Sequence, residues 1–324
     1  MTDGRTGSGL PSVARARMAE IRRSGTWSSA LSINEFAAIR SAGFEPAGQV
    51  LGAAVYNVGY TGGFTCPGAW AGFSGYGAPV ASVTTVSGDG GYGSYGPMVA
   101  TLYEARRAAI GRMTEECAEL GGHGVVGVTL TIGRFPAGGL EFKAIGTAVR
   151  VPGVPLSRAP FTSSLSGQDF AKLIVDGWVP VGLALGISVG ARHDDWLTVN
   201  QTRWGSGNTE VIGYTDLVNQ TRHDAREQLE RDVARMGADG VVVKSMEMRV
   251  RERECPVQEH RRDHIVEATT IGTAIARFST ASRSAERPSL AILSLDPQRR
   301  QAARVQLGPE PAAGADRNNG DQGE

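Results

Sequence analysis

The chain has 324 residues, and its 33 basic and 33 acidic side chains give no net charge at pH 7. This length suggests about two domains. The balanced charge argues against a nucleic-acid-binding protein, for which a basic excess is expected. The three cysteines, Cys66, Cys117 and Cys255, are odd in number and far apart in sequence, so they exclude a disulfide scaffold and favour a reducing, cytoplasmic location.

The N-terminal segment, residues 1–27, is predicted to be an extension of the folded part. It lacks the apolar core of a signal peptide, and its residues 11–23 have the pattern of a short amphipathic helix. The whole sequence contains no run of about 18 apolar residues. We therefore expect no membrane span.

The rest of the sequence contains one pattern twice. The stretch that begins at Leu31 matches the stretch that begins at Leu165, at an offset of 134 residues. The offset later becomes 116 between Leu120–Val126 and Met236–Val242, and 126 between Ile145–Val149 and Ile271–Ile275. We interpret the chain as a tandem duplication with extra residues in the first copy and a hairpin about ten residues longer in the second. Further pairs at the first offset are Phe36/Phe170, Gly43/Gly177, Pro46/Pro180, Gly48/Gly182, Gly52/Gly186 and Val55/Val189.

A short capped helix opens each copy. Ser32 and Glu35 match the capping box, in which each side chain accepts a hydrogen bond from the other residue's backbone N–H, and Ser166 with Asp169 repeats the pattern. Each helix is expected to stop at a glycine, which adopts the left-handed conformation at little cost. An apolar run follows in each copy, at residues 47–55 and 181–189, and predicts a buried strand.

A long helix and a hairpin complete each copy. Apolar residues recur at helical spacing from Met98 to Leu120 and from Tyr214 to Met236, and a glycine follows each stripe. The first hairpin strands are predicted at residues 125–132 and 241–250. The fold class is therefore α+β, with two units that each pack a sheet against one long helix after a short capped helix. The predicted boundaries are 1–27 for the extension, 28–152 for the first unit, 162–279 for the second unit and 280–324 for a disordered tail.

The motifs of both copies resemble the YbjQ family, which carries a heavy-metal-binding label. The resemblance covers residues 44–151 and 178–278 and implies ring assemblies with five-fold symmetry. Since five is odd, two-unit chains cannot fill one five-membered ring, so we expect a homopentamer with two stacked rings. His123 departs from the family pattern, which has an aspartate there. The matching motifs are Val50-Leu51-Gly52-Ala53, Glu104-Ala105-Arg106, Leu120-Gly121-Gly122-His123-Gly124-Val125-Val126-Gly127 and Gly146-Thr147-Ala148-Val149, with Met236-Gly237-Ala238-Asp239-Gly240-Val241-Val242 and Gly272-Thr273-Ala274-Ile275 in the second copy.

The candidate metal ligands are Cys255, His260 and His264, in the longer hairpin of the second copy. Thiolate and imidazole groups are suitable ligands for a divalent metal. The alternative is a solvent-exposed hairpin tip, because a proline and several arginines lie nearby and no second cysteine follows at CxxC spacing. No other cofactor is expected.

Two further features have open interpretations. The arginines at 249, 251 and 253 fall on one face of a strand and predict either a basic rim or a salt-bridged hairpin. The glycine-rich insertion of the first copy is a candidate ligand-binding or subunit-contact loop. Its aromatic residues include Phe64, Trp70, Phe73, Tyr76, Tyr92 and Tyr95.

No catalytic constellation is recognisable in the sequence. His193-Asp194-Asp195 and His223-Asp224 place histidines beside acids, but no nucleophile elbow such as GxSxG occurs. The leading hypothesis is a non-enzymatic, ring-forming scaffold or binding protein in the cytoplasm, without nucleic-acid partners. A metal- or small-ligand-binding sensor is the second hypothesis, and a hydrolase of unrecognised type is the third. The tail, with its apolar residues 290–295, is a candidate for docking an unknown protein.

Overall fold

The computed structural model describes residues 10–58, 83–87, 95–136, 139–156, 159–255 and 262–277. The same order of elements occurs in both halves: a short helix, a long strand, a 24-residue helix and a hairpin. The elements up to residue 150 are α1 (Ser12–Ser24), α2 (Ile33–Ser41), β1 (Glu45–Tyr56), β2 (Thr84–Ser87), α3 (Gly96–Glu119), β3 (Gly124–Arg134) and β4 (Leu140–Arg150). Those that follow are β5 (Phe161–Thr162), α4 (Gly167–Val175), β6 (Trp178–His193), α5 (Trp196–Gln201), α6 (Ile212–Arg235), β7 (Gly240–Glu254) and β8 (Arg262–Arg277).

The predicted α+β class is confirmed, and the strands are longer than the apolar runs that predicted them. Strand β6 continues to His193 because its residues remain paired with β8 as far as Asp263. Helix α2 has the predicted capping box, in which the Glu35 carboxylate accepts the Ser32 N–H at 2.8 Å. This hydrogen bond lowers the pKa of Glu35. The glycines after α2 and α4 have φ angles of 88° and 81°.

The strands form two four-stranded sheets, in the orders β1-β4-β3-β5 and β2-β6-β8-β7. In each sheet the first long strand pairs antiparallel with the last strand of the hairpin. The register shifts between Pro46 and Gly48 in β1 and between Pro180 and Gly182 in β6. These positions are 134 residues apart, so both copies have a bulge at the same place.

Each long helix touches its strand backbone to backbone at a glycine. A Cβ added at Gly52 would lie 1.8 Å from the carbonyl oxygen of Ala109 in α3. At Gly186 it would lie 2.0 Å from the carbonyl oxygen of Ala225 in α6. Only glycine permits this approach, and the helix therefore crosses the sheet at the same point in both copies.

A helix carboxylate also binds the edge of the strand in each copy. The Leu51 N–H donates to Glu116 Oε2 at 2.8 Å, and the Leu185 N–H donates to Asp232 Oδ2 at 2.9 Å. Burial raises the pKa of Glu116, and the N–H of Leu51 and the cation of Arg17 oppose this rise. These bonds satisfy edge N–H groups that the sheet leaves unpaired.

Strand β6 of the second sheet is covered on both faces, whereas alternate residues of β1 in the first sheet remain partly exposed. Alternate residues of β1 are buried, but β6 is buried almost continuously from Leu183 to His193. One face of β6 packs on α6. The other face packs on α3, where Tyr103 accepts the Ile187 N–H at 2.9 Å. Helix α3 is thus shared by the two sheets.

Residues 161–165 join the two sheets. The segment pairs in parallel with β3, and its backbone hydrogen bonds to residues 123–128 measure 2.8–3.1 Å. Its side chains bind the second sheet: Thr162 Oγ1 accepts the Leu183 N–H at 2.9 Å, and Ser164 lies 3.0 Å from Thr273 Oγ1. We call this contact the junction.

An apolar cluster surrounds the junction. Phe170 makes edge contact with Phe44 at a centroid distance of 5.0 Å and stacks on Phe161 at 5.7 Å. Burial of each phenyl ring contributes about 1.5–3 kcal/mol, so the cluster is a large part of the attraction between the two halves. Its buried members are Ile39, Phe44, Val126, Val149, Phe161, Leu165 and Phe170.

Across the described ranges, no helix is both long and apolar enough to cross a membrane.

The close helix–strand approach predicts opposite effects for two glycine-to-alanine changes. Gly186→Ala should destabilise the protein by about 3 kcal/mol or more, because the added methyl group overlaps backbone atoms of α6. Gly111→Ala should stabilise it by about 0.5–1 kcal/mol, because this helical glycine has open space around its Cβ position. Urea denaturation followed by circular dichroism measures both. Equal stabilities of the two variants would contradict the backbone contact.

Candidate functional site

A cluster of polar side chains lies at one end of the second sheet. His193 ends β6, Cys255 follows β7, and Asp263 is the second residue of β8. Their ligand-type atoms, one each of nitrogen, sulfur and oxygen, lie within 4.8 Å of one another, and all three residues are buried. We call this group the strand-end cluster.

The strand register brings the cluster together. Asp263 of β8 lies opposite His193 of β6 on one side and opposite Arg253 of β7 on the other. Side chains of residues directly opposite each other project from the same face of a sheet. His193 Nδ1 is 2.9 Å from Asp263 Oδ1, and Arg253 Nε donates to Oδ2 at 3.0 Å. The buried carboxylate is therefore held at both oxygens.

His264 belongs to a second group on the opposite face of β8, because neighbouring residues in a strand point to opposite sides. Its Nε2 lies 2.8 Å from the Tyr214 hydroxyl and 3.0 Å from Asp194 Oδ1. The Tyr214 hydroxyl donates to Asp194 Oδ1 at 3.1 Å. Burial, assisted by the charge of Asp194, raises the pKa of Tyr214. The Tyr214 hydroxyl and His264 Nε2 thus meet at the same carboxylate oxygen of Asp194.

The strand-end cluster has donors that fit a zinc-type metal. Imidazole, thiolate and carboxylate all bind zinc, at about 2.0–2.3 Å. Ligand atoms of a tetrahedral site are about 3.5 Å apart, so metal binding requires His193 and Asp263, now 2.9 Å apart, to separate slightly. Metal binding would also replace the hydrogen bond between His193 and Asp263. The residues that would hold such an ion are His193, Cys255 and Asp263.

The same residue types occur in cysteine-based catalytic triads. Reactive cysteines, however, lie in partly exposed and electropositive surroundings. Cys255 is buried at 8% exposure. This setting favours a metal-binding or structural role for the cluster over nucleophilic catalysis.

The structure separates the predicted metal ligands. Cys255 joins His193 and Asp263, whereas His264 contacts Asp194 and Tyr214. His260 lies outside the described residues.

Most of the predicted aromatic loop also lies outside the described residues. These are Phe64, Trp70, Phe73, Tyr76 and Tyr92. Tyr95 immediately precedes α3 and is buried in the main core. The predicted tail lies outside as well.

His193 and Asp263 were not recognised as partners from the sequence. They are 70 residues apart, and pairing across a sheet depends on register rather than on sequence spacing. One signal was available. The hairpin of the second copy is the longer one, so the strand that pairs with it can also be longer than its apolar run. A strand that extends to His193 would lie beside the start of β8.

His123 has a structural role, although the family pattern has an aspartate at this position. Its Nδ1 accepts the Val151 N–H at 3.1 Å. In the second copy the equivalent residue, Asp239, accepts the Arg277 N–H at 2.9 Å. The Nε2 of His123 lies 3.2 Å from the carbonyl oxygens of residues 154 and 155. The imidazole thus reproduces the carboxylate contact and also fixes the chain that leads to the second unit.

A cleft of about 200 Å³ lies between the two hairpins. Arg106, Lys143 and Arg249 bring positive charge to it, and Glu247 brings negative charge. Burial lowers the pKa of Arg106 to about 10, so the guanidinium remains charged at neutral pH.

The predicted arginine face is largely paired with acids. Arg251 lies 3.8 Å from Glu267, and Arg253 lies 3.0 Å from Asp263. Of the two interpretations of this strand, these contacts favour the salt-bridged hairpin.

Comparisons with known proteins identify relatives of this chain. The YbjQ family, described as "Putative heavy-metal-binding", matches residues 75–152. The "Encapsulin nanocompartment protein Rv1762c" of Mycobacterium tuberculosis is 34% identical over 297 residues, which cover 89% of this chain and 98% of that protein. A "UPF0145 protein" of Clostridium perfringens is 46% identical over 48 residues, or 15% of this chain and 45% of that protein. The chain therefore belongs to the YbjQ family, and it is related over nearly its full length to the M. tuberculosis protein.

Proposed function

We propose that this chain is a non-enzymatic scaffold that assembles with copies of itself and consists of two YbjQ-like units from one duplication. The repeated order of elements supports the duplication, as do the equivalent bulges and the equivalent helix–strand glycine contacts.

The observation that carries the assembly role is the exposed edge of the second sheet. Among the described residues, β7 is an edge strand that pairs with β8 only. Long, unprotected and apolar strand edges are sites of association between chains. The exposed apolar residues of this strand are Val242 at 37%, Val243 at 52%, Met246 at 38% and Val250 at 56%.

The relative from M. tuberculosis suggests where such an assembly would act. Its name associates that protein with an encapsulin nanocompartment. We propose that the present chain likewise acts with a protein nanocompartment in the cytoplasm, where its assembly provides a scaffold or a binding surface.

The proposal predicts a homo-oligomer in solution. Five chains of 34.1 kDa should give a native mass of about 170 kDa, from the five-fold symmetry that the family resemblance implies. Native mass spectrometry of the untagged protein measures this directly. A mass of one chain at all tested concentrations would contradict the assembly role, and another multiple would correct the number alone.

Metal binding is the second candidate function, and the strand-end cluster is the observation that favours it. The three donor atoms are buried and close together, on residues that the sheet holds in place. A divalent metal would take Cys255 as a thiolate, since the thiolate is the form of cysteine that binds metals.

Cobalt titration distinguishes this cluster from other histidines. Co²⁺ should give a thiolate-to-metal charge-transfer band with the wild-type protein, because Cys255 would supply a thiolate ligand. The band should be lost in Cys255→Ala, and His193→Ala should weaken binding by about 10-fold or more. His223→Ala is the matched control, since this histidine is exposed on α6, and it should bind as the wild type does.

His264→Ala tests the pairing predicted from the sequence. If His264→Ala abolishes the cobalt band while His193→Ala leaves the band unchanged, the metal binds to the ligands predicted from the sequence, which include His264, and not to the strand-end cluster.

A further inference from the structure

The junction is formed by two surfaces, one from each unit, and each of these surfaces has an equivalent in the other unit. Within the chain, β3 of the first unit receives residues 161–165 of the second. The equivalent of β3 is β7, and the equivalent of residues 161–165 is 27–31 at the offset of 134. Both equivalents lie at outer surfaces of the chain.

The outer surfaces have the same apolar character as the buried junction. Trp27, Leu31 and Phe36 correspond to Phe161, Leu165 and Phe170. The other side of the junction cluster consists of Ile39, Phe44, Val126 and Val149, which correspond to Leu173, Trp178, Val242 and Ile275. Each buried apolar residue of the junction cluster thus has an apolar counterpart that is less buried.

The aromatic side chains at residues 27–36 already have the geometry of the junction. Trp27 stacks on Phe36 at a centroid distance of 5.9 Å and an interplanar angle of 9°. Phe161 stacks on Phe170 at 5.7 Å and 13°. Inside the chain, Phe44 closes the second of these pairs with edge contacts to both rings. Its counterpart, Trp178, lies on the other outer surface.

A pair of glycines gives an independent indication. Gly124 lies under the ring of Phe161, and a Cβ there would be 2.3 Å from the ring. Its counterpart, Gly240, has nothing nearer than Ile275 at 3.8 Å. Gly240 therefore leaves a space over β7 of the kind that the aromatic ring of Phe161 fills over β3.

We propose that β7 of one chain receives residues 27–31 of a second copy of the same chain, with Trp27 over Gly240 and Trp178 against the pair of Trp27 and Phe36. This contact rests on the proposed assembly role and defines its interface. The junction supplies the register, in which Ser28 lies opposite Val241, as Thr162 lies opposite Val125.

The contact between chains differs from the junction in two respects. Gly167, which packs closely on Glu35 and Ile39, is replaced at the outer surface by Ile33, whose side chain is 87% exposed. Helices α2 and α4 of adjacent chains must therefore lie farther apart than within one chain.

The second difference is on the long helices. The α3 side chains Val99, Tyr103 and Arg106 correspond to Thr215, Asn219 and Arg222 on α6. The helix side of the contact is thus more polar, and the strand edge is its apolar centre.

The symmetry of the assembly follows from this contact. Each chain uses one surface to receive and a different surface to insert, so the contact is heterologous and builds a ring or an open filament. The two units of one chain then lie side by side in the same ring. This arrangement differs from the two stacked rings expected from the sequence, and five chains would then form one ring of ten units.

The first test is Gly240→Val. The valine side chain occupies the space intended for Trp27, whereas the isolated chain has room for it. We expect the native mass to fall to a single chain of 34.1 kDa, with unchanged far-UV circular dichroism. Trp27→Ala should have the same effect. Trp204→Ala is the control, because Trp204 is 103% exposed and has no counterpart in the junction, and it should keep the wild-type mass.

A disulfide provides positive evidence for the register. Opposed residues of paired strands lie close enough for a disulfide. The double variant Ser28→Cys, Val241→Cys should therefore form covalent multimers upon oxidation, each a multiple of the 34.1 kDa chain. Each single variant is the control for the native cysteines and should remain one chain on a denaturing gel.

The outcomes separate the contact from the assembly role. An oligomer whose mass survives Gly240→Val and which does not crosslink through residues 28 and 241 overturns the proposed contact while leaving the scaffold function intact. A wild-type protein that is a single chain overturns both. Loss of mass in Gly240→Val together with crosslinking of the double variant supports the contact.

Discussion

The placement of the two sheets depends on the junction segment, residues 161–165. Its backbone completes the edge of the first sheet, while Thr162 and Ser164 bind the second sheet. Because five residues are fixed by both sheets at once, little freedom remains between the halves. The shared position of α3 follows from this: one side of the helix packs on β1 through Gly52, and another covers the outer face of β6.

The same constraint explains why equivalent residues of the two copies differ in burial. Strand β6 has a helix on each face, whereas the outer face of β1 has none within the described chain. Phe161 is buried at the junction, whereas its counterpart Trp27 is 39% exposed. A duplicated unit has two complementary surfaces, and joining two units covers only one surface of each. In our proposal the remaining pair of surfaces binds another copy, and the duplication would then account for the assembly.

The charged side chains at one end of the second sheet are paired through the strand register. Asp263 is opposite two basic partners on neighbouring strands, and His264 meets Asp194 and Tyr214 on the other face. A buried carboxylate without such partners would be costly. These ion pairs stabilise the longer hairpin of the second copy, and we propose that the same cluster supplies donor atoms for a metal. These two roles are compatible, since residues that are fixed in place are suitable ligands.

The sequence by itself determined the local structure and the fold class. Helical spacing, the capping box at Ser32 and the glycines after each helix are short-range signals, and the elements that they predicted are present. The internal offset also revealed which residues are equivalent. The candidate site was only partly predictable: the sequence made Cys255 a candidate ligand, but it did not indicate that His193 and Asp263 lie beside this cysteine. Tertiary structure decided that pairing, because a contact between strands depends on register and on the length of β6 beyond its apolar run. It also decided which of two equivalent surfaces is buried, because sequence patterns record apolar character, whereas burial depends on what packs against it.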